Sequence, residues 1–149
     1  MHRFDDPEGA FGTLYLGDML EACFVETLLR NPRLRLVARS EIDMRRWSTL
    51  AGLRTLRLVD FTGPGLSLVG TDGGVNTGPY RISQAWARAL FDHADAPDGI
   101  LYPSRHDPSL KCAGVFSRPG VDFDVSAPRL FNRSWANETL KRYGKALAS

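Results

Sequence analysis

Gly12 to Arg30, GTLYLGDMLEACFVETLLR, is the stretch whose reading decides the fold. Thr13-Leu14-Tyr15-Leu16 mixes β-favouring residues between Gly12 and Gly17 and predicts a short strand. Asp18 is a suitable N-cap after the Gly17-Asp18 turn, and Glu21 three residues on completes a capping-box-like pattern. Leu20, Cys23, Phe24, Thr27 and Leu28 then fall on one stripe at helical spacing. Met19, Val25 and Leu29 carry apolar character most of the way round, so the helix should be largely buried. Glu26 projects among Met19, Ala22, Cys23 and Leu29. It is either an i,i+4 partner of Arg30, a contact worth a few tenths of a kcal/mol, or a functional carboxylate on the wall of a pocket.

Working outward, the 149 residues suit one domain with a genuine core. A net charge of +2 with no Lys/Arg block argues against a nucleic-acid surface. No apolar run is long enough for a membrane span, and no signal-like segment is seen at the start, which together give a cytoplasmic expectation. His2, His93 and His106 lack zinc-site spacing, so no metal site is expected. Cys23 and Cys112 sit among apolar residues and read as buried thiols.

Downstream of the helix, Leu34, Leu36 and Ala38 alternate with arginines as a half-exposed strand. A second strand is expected within Leu53 to Phe61. Gly63-Pro64-Gly65 is a turn before a helical turn at Leu66 to Val69. The glycine-rich Thr71–Gly78 matches neither a Walker motif nor a dinucleotide fingerprint and reads as a loop. Pro79 then opens a helix with Ile82, Ala85, Trp86, Ala89 and Leu90 as its apolar stripe. Ile100-Leu101-Tyr102 is a buried strand running into Pro103-Ser104-Arg105, and Lys111 to Phe116 is another. Asn132 to Ala148 predicts a terminal helix with Trp135, Leu140, Tyr143 and Leu147 as contacts. The irregular alternation favours a mixed α/β, or α+β, domain around a compact sheet.

The runs HRFDD, FGTLYLGD, ACFVETLLR and DGILYPSRHD, in this order and spacing, resemble the successive blocks of the RES domain, named for an arginine, a glutamate and a serine. The matching positions are Arg3, Glu26 and Ser104, with Tyr15 matching the tyrosine on the strand before the glutamate helix. The resemblance runs from the first residues to about Phe116. It implies a fold similar to that of mono-ADP-ribosyltransferases and a bacterial toxin neutralised by an Xre-like antitoxin. It also implies breakdown of NAD as substrate, without a further cofactor, by phosphorolysis with inorganic phosphate or by hydrolysis. ADP-ribosylation of a protein is the alternative within the enzyme class. Family members carry a strand before the arginine block. The single domain expected over 1–149 is therefore shortened at that side, and a nucleotide-binding or antitoxin-binding remnant without turnover is a further alternative. The acceptor and any homo-oligomer are left open.

The chemistry fits these residue types. Breaking the nicotinamide–ribose bond generates an oxocarbenium-like centre, the electronic problem that glycosidases solve with carboxylates. Glu26 can stabilise that charge or bind ribose hydroxyls. Arg3 offers a planar donor fork to phosphates. Tyr15 can present its ring to nicotinamide or ribose. Ser104 can orient a ribose or phosphate, and no His-Asp pattern accompanies it to mark a nucleophile.

Overall fold

The structure, a computed structural model, describes residues 1–148. In chain order it begins β1 (Thr13–Gly17), α1 (Leu20–Leu28), β2 (Leu36–Val37), α2 (Arg39–Asp43), β3 (Arg46–Trp47), β4 (Leu50–Gly52) and β5 (Leu58–Asp60). Helices α3 (Pro64–Val69), α4 (Gly74–Thr77) and α5 (Tyr80–Phe91) follow, then β6 (Gly99–Pro103) and β7 (Lys111–Phe116). Elements β8 (Phe123–Val125), β9 (Arg129–Leu130), α6 (Arg133–Arg142) and β10 (Ala146–Leu147) complete the α+β fold.

The main sheet has the order β1-β7-β6-β5. Strand β7 lies antiparallel to both β1 and β6, whereas β5 and β6 are parallel and joined through α3, α4 and α5. Parallel neighbours need such a crossover, because no tight turn can reverse the chain twice. Three two-stranded ladders, β2 with β10, β3 with β9 and β4 with β8, tie the remaining chain to this frame.

Two apolar clusters form the core. One gathers Phe24, Val25 and Leu29 of α1 with Ile42 and with Leu140 of α6. The other gathers Phe4 and Phe11 of the N-terminal segment with Phe61, Leu90, Ile100 and Phe116. Tyr102 on β6 packs against both. The N-terminal segment has no regular element before β1, yet Phe4 is fully buried, with its ring centroid 4.9 Å from that of Tyr102. That burial anchors Arg3 beside the sheet.

Several expectations are corrected. Helix α1 starts at Leu20 behind Met19, with no side-chain cap. Asp18 instead continues the strand, its amide donating to the Lys111 carbonyl at 3.1 Å. Glu21 turns to the Tyr143 hydroxyl and the Arg142 guanidinium. Only Leu36–Val37 of the first arginine-rich strand is extended, with Leu36 exposed and Val37 in the core. Among the described residues it pairs with β10 alone, and the chain takes the register that buries Val37 against the α1 cluster. Leu53 is exposed, because the chain breaks between β4 and β5 to send Arg54 toward Asp98. Helix α5 buries Ser83, Gln84, Ala87 and Leu90, and leaves Ile82 at the surface. Helix α6 ends at Arg142, and Gly144 with φ 65° lets the chain turn into β10. As expected, Trp135 and Tyr143 pack inward: Trp135 meets Phe24 edge-on, and the Tyr143 hydroxyl lies between Glu21 and Asp107.

Candidate functional site

Glu26 sits on the second turn of α1, which packs close to β1 because Gly17 has no side chain. A Cβ there would meet Cys23 Sγ at 2.8 Å and Ala22 Cβ at 2.9 Å. The close approach carries Glu26 to the C-terminal end of β6. There the Ser104 hydroxyl donates to Glu26 Oε1 at 2.5 Å, and the Arg105 amide donates to the same oxygen at 3.1 Å. Ser104 is 1% exposed, and its oxygen in turn accepts the amides of His106 and Asp107, each at 3.2 Å. A buried hydroxyl with this many partners has one orientation. Ser104 therefore fixes the carboxylate.

The ion-pair alternative for Glu26 does not form. Arg30 Nε donates to the Glu26 backbone carbonyl at 2.9 Å, as a side chain reaching back along its own helix. No cation lies within salt-bridge distance of the Glu26 carboxylate among the described residues.

Arg3 is held by a different part of the fold. Its Nη1 donates to the Gly78 carbonyl at 2.9 Å and to Ser83 Oγ at 3.1 Å, and its guanidinium lies 4.7 Å from the Tyr80 ring centroid. Ser83 is itself oriented by donating to the Val75 carbonyl at 2.6 Å. The glycine-rich loop thus serves the site as a mount for the arginine. Gly78 is required, since a Cβ there would stand 2.6 Å from the Gly74 carbonyl oxygen. Burial and the nearby Arg105 charge pull the Arg3 guanidinium below the usual arginine range. It still holds its proton at neutral pH.

Tyr15, on β1, closes the corner between them. Its hydroxyl donates to Asp5 Oδ1 at 2.8 Å and accepts the Phe4 amide at 2.9 Å, and its ring meets His2 edge-on. Burial and the Asp5 hydrogen bond raise its pKa well above the usual phenol range, so it remains a neutral hydroxyl. Its fixed roles are to present a ring to the cavity and to pin the segment that carries Arg3. Cys112 is 3% exposed, and burial with the adjacent Glu26 charge pushes its thiol up to about 12, which makes it no nucleophile.

These residues enclose a cavity of about 640 Å³ whose lining includes Arg3, Tyr15, Glu26, Tyr80, Tyr102 and Arg105. That volume lies in the range of small-molecule sites. Arg3, Tyr15 and Glu26 line it together, with Ser104 directly behind Glu26. Sequence reasoning missed Tyr80, Asn76 and Arg105. Pro79, as a helix start, marks the neighbourhood of Tyr80, and Arg105 adjoins the serine block, but Asn76 gives no local signal. Among the described residues, no cluster of three or more His, Cys, Asp or Glu is placed to hold a metal ion. No helix among them is long and apolar enough to cross a membrane.

The α+β domain gathers an arginine, a tyrosine and a carboxylate around one cavity of mixed polar and aromatic lining, which is the candidate site. The chain belongs to the RES-domain family: residues 1–136 match the RES domain. Its fold is similar to that of a chain in the crystal structure of the M. tuberculosis MbcT–MbcA toxin–antitoxin complex. The TM-score is 0.61 at 21% identity, over 94% of this chain and 76% of that one. No curated protein matches the sequence.

Proposed function

We propose that this protein cleaves the nicotinamide–ribose bond of NAD and acts as the toxin of a toxin–antitoxin pair, restrained by a cognate Xre-like antitoxin. Membership of the RES family and the likeness to a toxin–antitoxin complex support the biological half of this reading. One observation carries the chemical half. The Glu26 carboxylate is held by two uncharged donors, lacks a cationic partner and lines a cavity that it shares with Arg3.

In this reading the bond between ribose C1′ and the ring nitrogen breaks, and its electron pair neutralises the departing nicotinamide. The ribosyl group left behind carries positive charge spread over C1′ and the ring oxygen. Glu26 stabilises that charge, and its full negative charge is available because no arginine or lysine cancels it. Ser104 keeps the carboxylate from swinging away as charge develops, so no reorganisation is needed at the reacting moment. An oxygen of water or inorganic phosphate then forms the new bond to C1′. If water is the acceptor, its proton passes to solvent. Tyr15 and Tyr80 offer aromatic faces to the substrate's rings, and the remaining Arg3 donors face its phosphates.

The test is nicotinamide release from NAD by the purified protein, with and without phosphate, and chromatography of the second product. ADP-ribose or its phosphate ester is the expected product, and a labelled protein acceptor would reassign the reaction to group transfer. Background nicotinamide from a folded protein that binds NAD would overturn the proposal.

A further inference from the structure

A second cavity of about 350 Å³ lies beyond the C-terminal ends of the parallel strands β5 and β6. It shares Asn76, Pro103 and Arg105 with the first cavity, so the two adjoin along one wall. Phe61 and Leu66 supply apolar lining, and Lys111 stands at its edge. Neither the Arg105 guanidinium nor the Lys111 ammonium finds a hydrogen-bond or ion-pair partner among the described residues, although the Arg105 backbone is tied to Glu26. The Arg105 charge is nevertheless felt at Arg3, whose pKa it helps to lower. Two cations therefore border the space around the shared wall, and neither is tied up in an ion pair among the described residues. Within that wall Asn76 is 8% exposed. Its amide nitrogen donates to the Phe61 carbonyl at 2.8 Å, while its Oδ1 is buried and unpartnered. No donor of the described residues reaches that oxygen.

From this geometry we infer that the second cavity is the subsite for the adenosine end of the dinucleotide, with Arg105 over the pyrophosphate. The inference rests on the NAD reading and extends it to a specificity-determining residue. Two cavities that meet at an unpartnered arginine suit a ligand with two ring-bearing halves joined by an anion. An arginine binds that anion with a planar fork, and the Lys111 charge adds to the field. The apolar lining of Phe61 and Leu66 takes the flat ring.

ADP is the direct probe, because it carries the pyrophosphate and adenosine without the reacting bond. Calorimetric titration of the whole protein should detect ADP binding, weakened about tenfold or more by Arg105→Ala. Thr77→Trp places a bulky ring at the exposed rim of the second cavity, away from either core, and should weaken ADP binding comparably. Thr77→Trp should leave the affinity for nicotinamide mononucleotide, which has only the reacting half, within about twofold of the parent. Unchanged ADP affinity in Thr77→Trp, or equal losses for ADP and the mononucleotide, would overturn the subsite. So would a parent protein that cleaves NAD but does not bind ADP, an outcome that leaves the NAD reading standing. A parent that binds ADP as described but cleaves no NAD would instead remove the NAD reading and keep the adenosine subsite.

Discussion

Strand β6 has a carboxylate at each end, and the two are held in opposite ways. At its N-terminal end Asp98, 2% exposed, accepts both arms of the Arg54 fork at 2.7 and 2.9 Å and the Arg57 amide at 2.8 Å. At its C-terminal end Glu26 accepts a hydroxyl and an amide and meets no cation. Both are geometrically fixed; only one has its charge cancelled. A carboxylate neutralised by an arginine fork stabilises the fold and has little field left for a ligand. A carboxylate positioned by neutral donors keeps its charge for whatever enters the cavity, as the proposed reaction requires.

The largest effect should come from removing the uncancelled charge. Glu26→Gln keeps the size and the hydrogen bonds from Ser104 and Arg105, so melting temperature and NAD binding should stay near parental. Turnover should fall about a thousandfold, because an amide cannot stabilise a developing cation. Nicotinamide release measured beside a melting curve decides the matter. A well-folded variant with near-parental turnover would break the contrast between the two ends of β6.

Ser104→Ala comes next. It removes the hydroxyl that orients Glu26 and leaves the His106 and Asp107 amides without their acceptor. Turnover should fall by about tenfold to a hundredfold through misplacement of the carboxylate, with about 1–3 kcal/mol lost from stability. If Ser104 acts only through Glu26, combining Ser104→Ala with Glu26→Gln should lower turnover scarcely further than Glu26→Gln alone. Additive losses in turnover would give Ser104 a direct role with substrate.

Asp98→Asn should invert the pattern: turnover per folded molecule unchanged, melting temperature lowered by roughly 5 °C. Its pH dependence follows from the sign of the shift. The Arg54 fork holds the Asp98 carboxyl below the usual carboxylate range in the folded state. Its contribution is therefore present above the ordinary carboxylate pKa of about 4 and is lost as pH falls through the lower folded value. The melting temperatures of parent and variant should begin to draw together below about pH 4 and meet only below the folded value. A gap that persisted in acid would show that the cost of the substitution lies in packing and not in charge.

How much of this could be read from the chain divides along the same strand. The Glu26 corner was legible, because α1, β1, β6 and β7 are regular elements whose apolar patterns are local. Ser104 follows directly on one of them. The match of Arg3, Tyr15, Glu26 and Ser104 to an ordered set of blocks supplied the remainder, and Tyr15 and Arg3 do meet in one cavity with Glu26. What stayed hidden depends on tertiary contacts. Arg3 is held by a backbone carbonyl at Gly78, a partner that no side-chain pattern reveals. Asn76 sits in one helical turn inside what reads as a plain glycine-rich loop. The α5 stripe was displaced because Ser83 and Gln84 are buried to bind Arg3 and the His2 carbonyl, so polarity there reports a hydrogen-bond task and not exposure. The apparent capping box at Asp18 failed because β1 extends its hydrogen bonding one residue past Gly17 and takes the Asp18 amide into the sheet.

The smallest expected effect tests the comparison on a third carboxylate. Glu21 lies on the same helix as Glu26 and is also largely buried, with 18% of its side chain exposed. It accepts the Tyr143 hydroxyl at 3.0 Å, as Glu26 accepts a serine hydroxyl, but it also faces Arg142 at 3.1 Å. If cancellation of charge separates structural from chemical acids, Glu21 belongs with Asp98 despite its nearness to the cavity. Glu21→Gln retains an acceptor for Tyr143 and loses an ion pair whose arginine is 59% exposed, so solvent screening keeps the stability cost to about 0.5 kcal/mol. Turnover should stay within about twofold of the parent, since the lost charge was already paired. A tenfold fall in turnover at constant stability would mean that the field of α1 as a whole, and not the single uncancelled group, drives the chemistry. Parental turnover in Glu21→Gln beside its collapse in Glu26→Gln would assign the reaction to the one carboxylate that the fold holds in place without neutralising.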